Sequence, residues 1–198
     1  MRTYLAFFLM LAFAATAAAH EPHSYSEPDR FLVRHVALDL SADFAAHRLE
    51  GTAELTVERL DAEAKELRLD TRDLEIRSVH LIEASGRERV LPFTLDAPDS
   101  VLGSRLTISF TSCCVVSDTL RLRIDYRTSA QASALQWLEP AQTAGPHPYM
   151  YSQGQAIHAR SWIPIQDSPA VRLTYSARIR TPPELTALRA HYGVSLAT

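Results

Sequence analysis

Apolar and polar residues alternate along three long stretches of the chain. Between His47 and Arg59 every second residue is apolar or small, and the residues between them are charged or threonine. The same period of two recurs over Leu120–Arg127 and Val171–Arg180. A period of two places the two sets of side chains on opposite faces of an extended strand. The three stretches therefore predict β-strands that bury one face and expose the other.

Shorter segments carry a weaker form of the same pattern. We predict further strands over Phe31–Leu40, Glu66–Asp70, Leu74–Glu83, Val90–Leu95 and Arg105–Phe110. Turns are predicted at Asp43–Ala46, Ser85–Gly86 and Asp96–Gly103. Only Asp61–Glu66 is expected to form as much as one helical turn. Strands with polar outer faces and short connections predict an all-β fold, a two-sheet β-sandwich of mostly antiparallel strands.

The segment Ser129–Asp167 interrupts this alternation. It shows no clean strand pattern and contains both tryptophans, Trp137 and Trp162. A long irregular segment inside a compact domain is often functional. The same pattern also fits a long connection that packs over one end of the sandwich and has no direct function. The pattern leaves both interpretations open.

The first 19 residues have the pattern of a secretory signal peptide. Arg2 precedes the apolar run Tyr4–Ala15, and Ala17 and Ala19 fit a small-residue cleavage site. We expect cleavage after Ala19 and a secreted or periplasmic protein, with no membrane association after cleavage. The alternative of a membrane anchor is disfavoured because the strongly apolar stretch is shorter than the roughly 20 residues that span a bilayer.

Composition and charge narrow the class of protein. A hydrophobic fraction of 46% with 22% charged residues is typical of a globular domain and excludes a disordered tail, a coiled coil and a collagen-like repeat. The net charge of −3 provides no basic excess, which disfavours a nucleic-acid partner. A length of 198 residues predicts one domain, or at most two small ones.

The residues alone indicate no metal site and no catalytic set. The eight histidines are scattered, and the segment from His20 to His23 is one residue short of H-E-x-x-H, with Pro22 where a helix would have to continue. There is no G-x-S-x-G motif and no Gly-rich phosphate loop. Cys113 and Cys114 are adjacent, so a bond between them would add little stability. We expect two small apolar side chains at a strand edge.

The segment His147–Thr174 carries a resemblance to a known family. Its sequence, HPYMYSQGQAIHARSWIPIQDSPAVRLT, resembles the N-terminal domain of the M1 zinc aminopeptidases, in the branch of leukotriene A4 hydrolase and aminopeptidase B. Shorter segments in the family's order support it: Pro22–Ser26, Gly51–Ala53, Leu69–Leu74, and Tyr126–Ser129 running into Ala134–Leu138. We expect residues 20–190 to form this domain and residues 191–198 to be a tail outside the family pattern.

The resemblance implies a saddle-shaped pair of sheets that closes one wall of a substrate cleft beside a separate zinc-containing catalytic domain. It places Gln155 where the family recognises the N-terminal amine of a peptide, with Gln153 and Ala156 in the same turn. An amide oxygen can accept one of the three hydrogen bonds that an α-ammonium group donates. Without the resemblance, two glutamines in a loop would be interpreted as surface or loop-bracing residues.

Motifs that the family uses for hydrolysis do not occur in these 198 residues. The resemblance implies an H-E-x-x-H motif with a downstream Glu for zinc and a G-x-M-E-N segment for the amine, and the sequence contains neither. We therefore expect no catalytic residue and no metal or other cofactor in this chain, and no activity alone. Its expected partners are a peptide N-terminus and the missing catalytic domain, so the chain is interpreted as a truncated or frame-disrupted product or as an orphaned accessory domain.

Two other functions stay open. A free-standing β-sandwich that binds peptides or proteins would keep the same pocket, and a downstream reading frame encoding H-E-x-x-H would argue against it. Cleavage would also make His20 the N-terminal residue, whose amine and imidazole are a possible copper site. If the chain packs against a partner, an apolar patch is expected around Ser129–Ile165, with Trp137 or Trp162 more exposed than in a monomer's core.

Overall fold

A computed structural model describes residues 22–111 and 117–188 of the chain. The predicted signal peptide, the copper site at His20, the pair Cys113–Cys114 and the tail 191–198 lie outside the described residues. The described part contains no helix long and apolar enough to cross a membrane.

The described residues form eleven strands and no α-helix. In chain order the strands are β1 (Phe31–Asp43), β2 (Arg48–Arg59), β3 (Glu66–Thr71), β4 (Glu75–Ile82), β5 (Glu88–Val90), β6 (Phe93–Leu95), β7 (Ser104–Ser109), β8 (Thr119–Arg127), β9 (Leu135–Leu138), β10 (Tyr149–Ser152) and β11 (Thr174–Arg180). Two short 3₁₀ turns cover Pro140–Gln142 and Ala159–Ser161. The predicted all-β fold is confirmed.

The strands make three sheets. A six-stranded sheet has the order β11-β1-β2-β8-β4-β5, a three-stranded sheet has the order β3-β7-β6, and β9 pairs with β10. Among the described pairs, β11 runs parallel to β1 and the others are antiparallel. The predicted hairpin loop after Asp43 is confirmed, because β1 and β2 pair antiparallel from Asp43 and Arg48 outward.

The core joins the inner faces of the two larger sheets. In β2 the side chains of Leu49, Ala53, Leu55 and Val57 are buried, as the alternation predicts. They belong to one apolar cluster that also contains residues of β3 and β7, such as Leu69 and Ile108. A single cluster shared by both sheets is the defining feature of a sandwich.

The outer face of the six-stranded sheet carries paired charges. The ion pairs include Arg34–Glu58 at 2.6 Å, Arg121–Glu54 at 2.5 Å and Arg127–Glu75 at 2.6 Å. Exposed pairs of this kind contribute little to stability. They explain how strands rich in Arg and Glu satisfy the charges that the alternation directs outward.

Two strand predictions are wrong in detail. Val90–Leu95 is not one strand, because β5 ends at Val90 in the six-stranded sheet and β6 begins at Phe93 in the three-stranded sheet. Pro92 lies between them and has no N–H to continue a ladder, while Leu91 is buried where the chain crosses between the sheets. The segment Ser129–Asp167 is not free of strands either, since it contains the β9–β10 hairpin.

The predicted helical turn over Asp61–Glu66 is reduced to a hydrogen-bonded turn, in which the amide of Ala64 donates to the carbonyl of Asp61. Trp137 and Trp162 both pack against the core and are partly buried. Tyr149 and Tyr151 are exposed on the same segment.

Candidate functional site

A turn after β10 carries the predicted substrate residues. The amide of Gln153 donates to the carbonyl of Ala134 over 2.8 Å, and the amide of His158 donates to the carbonyl of Gly154 over 2.9 Å. The first bond holds the start of the turn against the residue that precedes β9. The second closes the turn on itself, so the side chain of Gln155 is presented at its tip.

The turn forms one wall of an open depression of about 610 Å³. Its lining consists of Ser133, Ala134, Gln136, Tyr151, Ser152, Gln153, Gln155 and His158. The structure thus brings Gln153 and Gln155 together. Ala156 does not line the depression; it is exposed beside it and follows Gln155 through a cis peptide bond.

The lining offers hydrogen-bonding groups. It contains no carboxylate and no Lys or Arg, only amides, hydroxyls, a phenol and an imidazole. Within the described residues, the side-chain amides of Gln153 and Gln155 make no hydrogen bond. An amide oxygen that has no protein partner and is held on an ordered turn is available to a ligand.

Two serine hydroxyl groups stabilise the walls of the depression. The Ser133 hydroxyl lies 2.8 Å from Nδ1 of His158. Ser161 is fully buried; its hydroxyl accepts the amide of Ala134 at 2.9 Å and donates to the carbonyl of His158 at 2.8 Å. These bonds join the residues before β9 to the residues after the turn, and so fix the two sides of the depression relative to each other.

Beneath the turn lies a buried charged cluster centred on Arg160. Its side chain is fully buried and donates from Nη1 to the carbonyl of Leu102 at 2.9 Å, from Nη2 to the carbonyl of His23 at 2.7 Å, and from Nε to Oδ2 of Asp167 at 3.1 Å. One guanidinium group therefore connects three parts of the chain: the segment at His23, the turn before β7 and the segment that follows the site. We call Arg160, Asp70 and Asp167 the buried cluster.

Asp70 is the second charge of the buried cluster. Its carboxylate accepts the hydroxyl of Ser24 at 2.6 Å and the amides of Tyr25 at 2.7 Å and Asp167 at 2.9 Å, and lies 3.8 Å from Arg160. Burial raises the pKa of the Asp70 carboxyl above its usual range, and the hydrogen bonds oppose that rise. The cluster holds the segment that follows the turn against β3.

Sequence reasoning missed Gln136, Tyr151 and His158 as neighbours of the two glutamines. One signal was present: Tyr149, Tyr151 and Gln153 are spaced two apart, which puts them on one side of a strand. That signal was lost because the segment was predicted to contain no strand. The buried cluster had no signal, since charged residues in a sequence are usually solvated.

Among the described residues, no group of three or more His, Cys, Asp or Glu side chains is arranged to hold a metal ion. The described part thus offers no donor set that fits zinc.

The class of protein follows from comparison with known families. Residues 21–190 match the peptidase M1 N-terminal domain family, and the chain belongs to that family. The expected resemblance is confirmed.

The chain is also similar to individual proteins of known name. The chain is 38% identical over 169 residues to leukotriene A-4 hydrolase of Xenopus laevis, covering 85% of this chain and 27% of that protein. It is 38% identical over 155 residues to leucine aminopeptidase 2 of Saccharomyces cerevisiae, covering 77% and 22%. The chain spans about a quarter of the length of these relatives.

Solved structures agree on the fold. The structure of native yeast LTA4 hydrolase superimposes with a TM-score of 0.75 at 34% identity, covering 87% of this chain and 27% of that one. An M1 zinc metallopeptidase from Deinococcus radiodurans superimposes with a TM-score of 0.57 at 16% identity, covering 80% and 34%. The second likeness shows the shared fold alone.

Proposed function

We propose that this chain is the substrate-cleft domain of an M1-type zinc aminopeptidase and that Gln155 and Gln153 recognise the N-terminal amine of a peptide. One observation carries the proposal: both side-chain amides line the same depression and neither is engaged by another described residue. Family membership supplies the context, because the relatives include a leucine aminopeptidase.

The chemistry of the depression suits an ammonium group. Two amide oxygens can accept two of its three N–H donors, and the lining holds no Lys or Arg side chain that would repel it. Hydrogen bonds that involve a charged partner are stronger than neutral ones. Fixing the N-terminus in this way would leave one peptide bond at a set distance from the turn, which is the requirement for removing one residue at a time.

The bond-breaking step is assigned to residues outside this chain. The family's zinc motif does not occur in the sequence, so we propose that the chain recognises substrate and has no activity alone. When bound in the partner domain, zinc would activate the attacking water and polarise the carbonyl. The signal-like residues 1–19 support the further proposal that the protein acts after export.

The experiment is a titration of the isotope-labelled chain followed by NMR. Trialanine amide with a free N-terminus is expected to bind weakly and to shift the side-chain amide signals of Gln153 and Gln155. Its N-acetylated form, which has lost the charge and two N–H donors, is expected to bind at least about 10-fold more weakly, because hydrogen bonds to charged groups contribute about 1.5–3 kcal/mol.

The variant Gln155→Ala should lose this preference for the free amine. Gln131→Ala is the matched control, because Gln131 is exposed on the same segment and does not line the depression. Equal affinity for the two peptides in the unmodified chain, or an undiminished preference in Gln155→Ala, would overturn the proposal.

A further inference from the structure

The depression has one aromatic wall, formed by Tyr151. This side chain lies on β10 two residues before Gln153, which follows the end of the strand, and both side chains line the depression. Tyr151 is 45% exposed, although its backbone pairs with Gln136 of β9. A large aromatic side chain that remains exposed beside the two glutamines contributes little to the core and is free to contact a ligand.

The Tyr151 ring has neighbours across the hairpin and along β10. Across the hairpin, Tyr151 is in register with Gln136, which also lines the depression. Along β10, the ring of Tyr149 lies 6.2 Å from that of Tyr151, centroid to centroid, at an interplanar angle of 34°. The Tyr151 ring therefore has an aromatic neighbour on one side, and its backbone is held by the pairing of β10 with β9.

The electrostatics of the lining leave a role for this ring. Amide oxygens accept hydrogen bonds from an ammonium group but carry no net charge, and the lining contains no carboxylate. The face of an aromatic ring is electronegative and attracts a cation placed over it. Two lining residues have an aromatic ring, Tyr151 and His158. Nδ1 of His158 already lies 2.8 Å from the Ser133 hydroxyl. The Tyr151 ring therefore remains as the aromatic face beside Gln153 and Gln155.

We infer that Tyr151 is a specificity-determining residue that holds the N-terminal ammonium group of a peptide by a cation–π contact, alongside the hydrogen bonds to Gln153 and Gln155. The inference rests on the proposed function and deepens it. It predicts that the site recognises the positive charge itself, as well as its N–H groups.

A peptide with an N,N,N-trimethylated N-terminus separates the two contributions. This group keeps the positive charge but has no N–H donor, so it cannot hydrogen-bond to the glutamines. A cation–π site accepts such a quaternary ammonium group. With the unmodified chain, the trimethylated trialanine amide is expected to bind about 3-fold more tightly than the N-acetylated form, the effect of a cation–π contact at an exposed site, and less tightly than the free amine.

Variants of Tyr151 then test whether this ring causes the preference for the trimethylated over the acetylated peptide. Tyr151→Leu should bring the trimethylated and acetylated peptides to equal affinity, while Tyr151→Phe, which keeps the ring face, should retain the difference. Tyr175→Leu is the control, since it removes an exposed tyrosine from β11. Circular dichroism and the thermal midpoint of each variant report whether the fold is intact.

The outcomes distinguish this inference from the proposed function. If the free amine is preferred but the trimethylated peptide binds no better than the acetylated one, or if Tyr151→Leu keeps the preference, the role of Tyr151 is refuted and amine recognition by the glutamines stands. If the free and acetylated peptides bind equally well, the proposed function fails, and the inference fails with it.

Discussion

At the scale of single residues, the buried cluster holds the segment that follows the candidate site in place. Arg160 lies five residues after Gln155 in the chain, and its side chain is fully buried. Its guanidinium contacts both Asp70 and Asp167 and the carbonyls of two distant segments. Buried charges of this kind are costly to leave unpaired, so each member of the cluster depends on the others.

Replacing Arg160 by methionine should therefore destabilise the chain strongly. Arg160→Met keeps an unbranched, mostly apolar stem but removes the guanidinium group, so the carboxylates of Asp70 and Asp167 lose their cation. We expect a loss of about 3–5 kcal/mol in the free energy of unfolding, measured by urea denaturation with tryptophan fluorescence.

The control for that measurement is Arg172→Met, because Arg172 is exposed. Its replacement should change the free energy of unfolding by no more than about 0.5 kcal/mol. Similar losses in the two variants would show that the buried cluster does not contribute as described.

At the scale of elements, the alternation predicted the long strands well and the short ones poorly. β1, β2 and β8 are each nine residues or more, and a period of two is unmistakable over that length. β9 and β10 have four residues each and mix glutamine, tyrosine and tryptophan, so their pattern resembles that of a loop. Their pairing across an intervening segment has no local signal. The site was predicted only as Gln153, Gln155 and Ala156 for this reason.

The position of Gly51 requires a glycine, and the alternation of apolar and polar residues did not predict this. It occupies an inward position in the pattern of β2, but its φ is +146° and it lies against Asp39 and Leu40 of β1. A Cβ atom at this position would lie 2.1 Å from the carbonyl oxygen of Asp39. Since backbone atoms of a paired strand cannot move aside easily, the close approach requires glycine.

We expect Gly51→Ala to lower the free energy of unfolding by about 3 kcal/mol or more, from backbone strain and overpacking together. Gly86→Ala is the matched comparison, because Gly86 also has positive φ, +82°, but a methyl group added there would meet no atom within 4 Å. That variant should lose only about 1 kcal/mol. Equal losses in urea denaturation would mean that the contact with β1 has no effect.

At the scale of the whole molecule, one apolar cluster unites the two larger sheets, and the depression opens beside it on the surface. The depression, for which we propose a substrate role, therefore lies on the surface of a sandwich with one shared core. The family's chemistry needs two histidines one helical turn apart and a nearby glutamate, and the sequence contains no such motif.

We therefore expect the purified chain to retain no stoichiometric zinc after dialysis, measured by mass spectrometry, and to hydrolyse no aminoacyl-anilide with or without added zinc. Leucine aminopeptidase 2 of Saccharomyces cerevisiae, assayed under the same conditions, is the positive control. Zinc-dependent turnover that persists through repeated purification would contradict the assignment of chemistry to another domain.

The sequence by itself determined the fold class, the family and the inward faces of the long strands. It could do so because a period of two and a continuous motif are local properties of the chain. Only the tertiary structure decided that Val90–Leu95 divides between two sheets and that β11 runs parallel to β1. It also brought Tyr151 and Gln136 beside Gln155, and paired Arg160 with Asp70. Those contacts join residues far apart in the chain, and their energies depend on burial and distance, which no local pattern encodes.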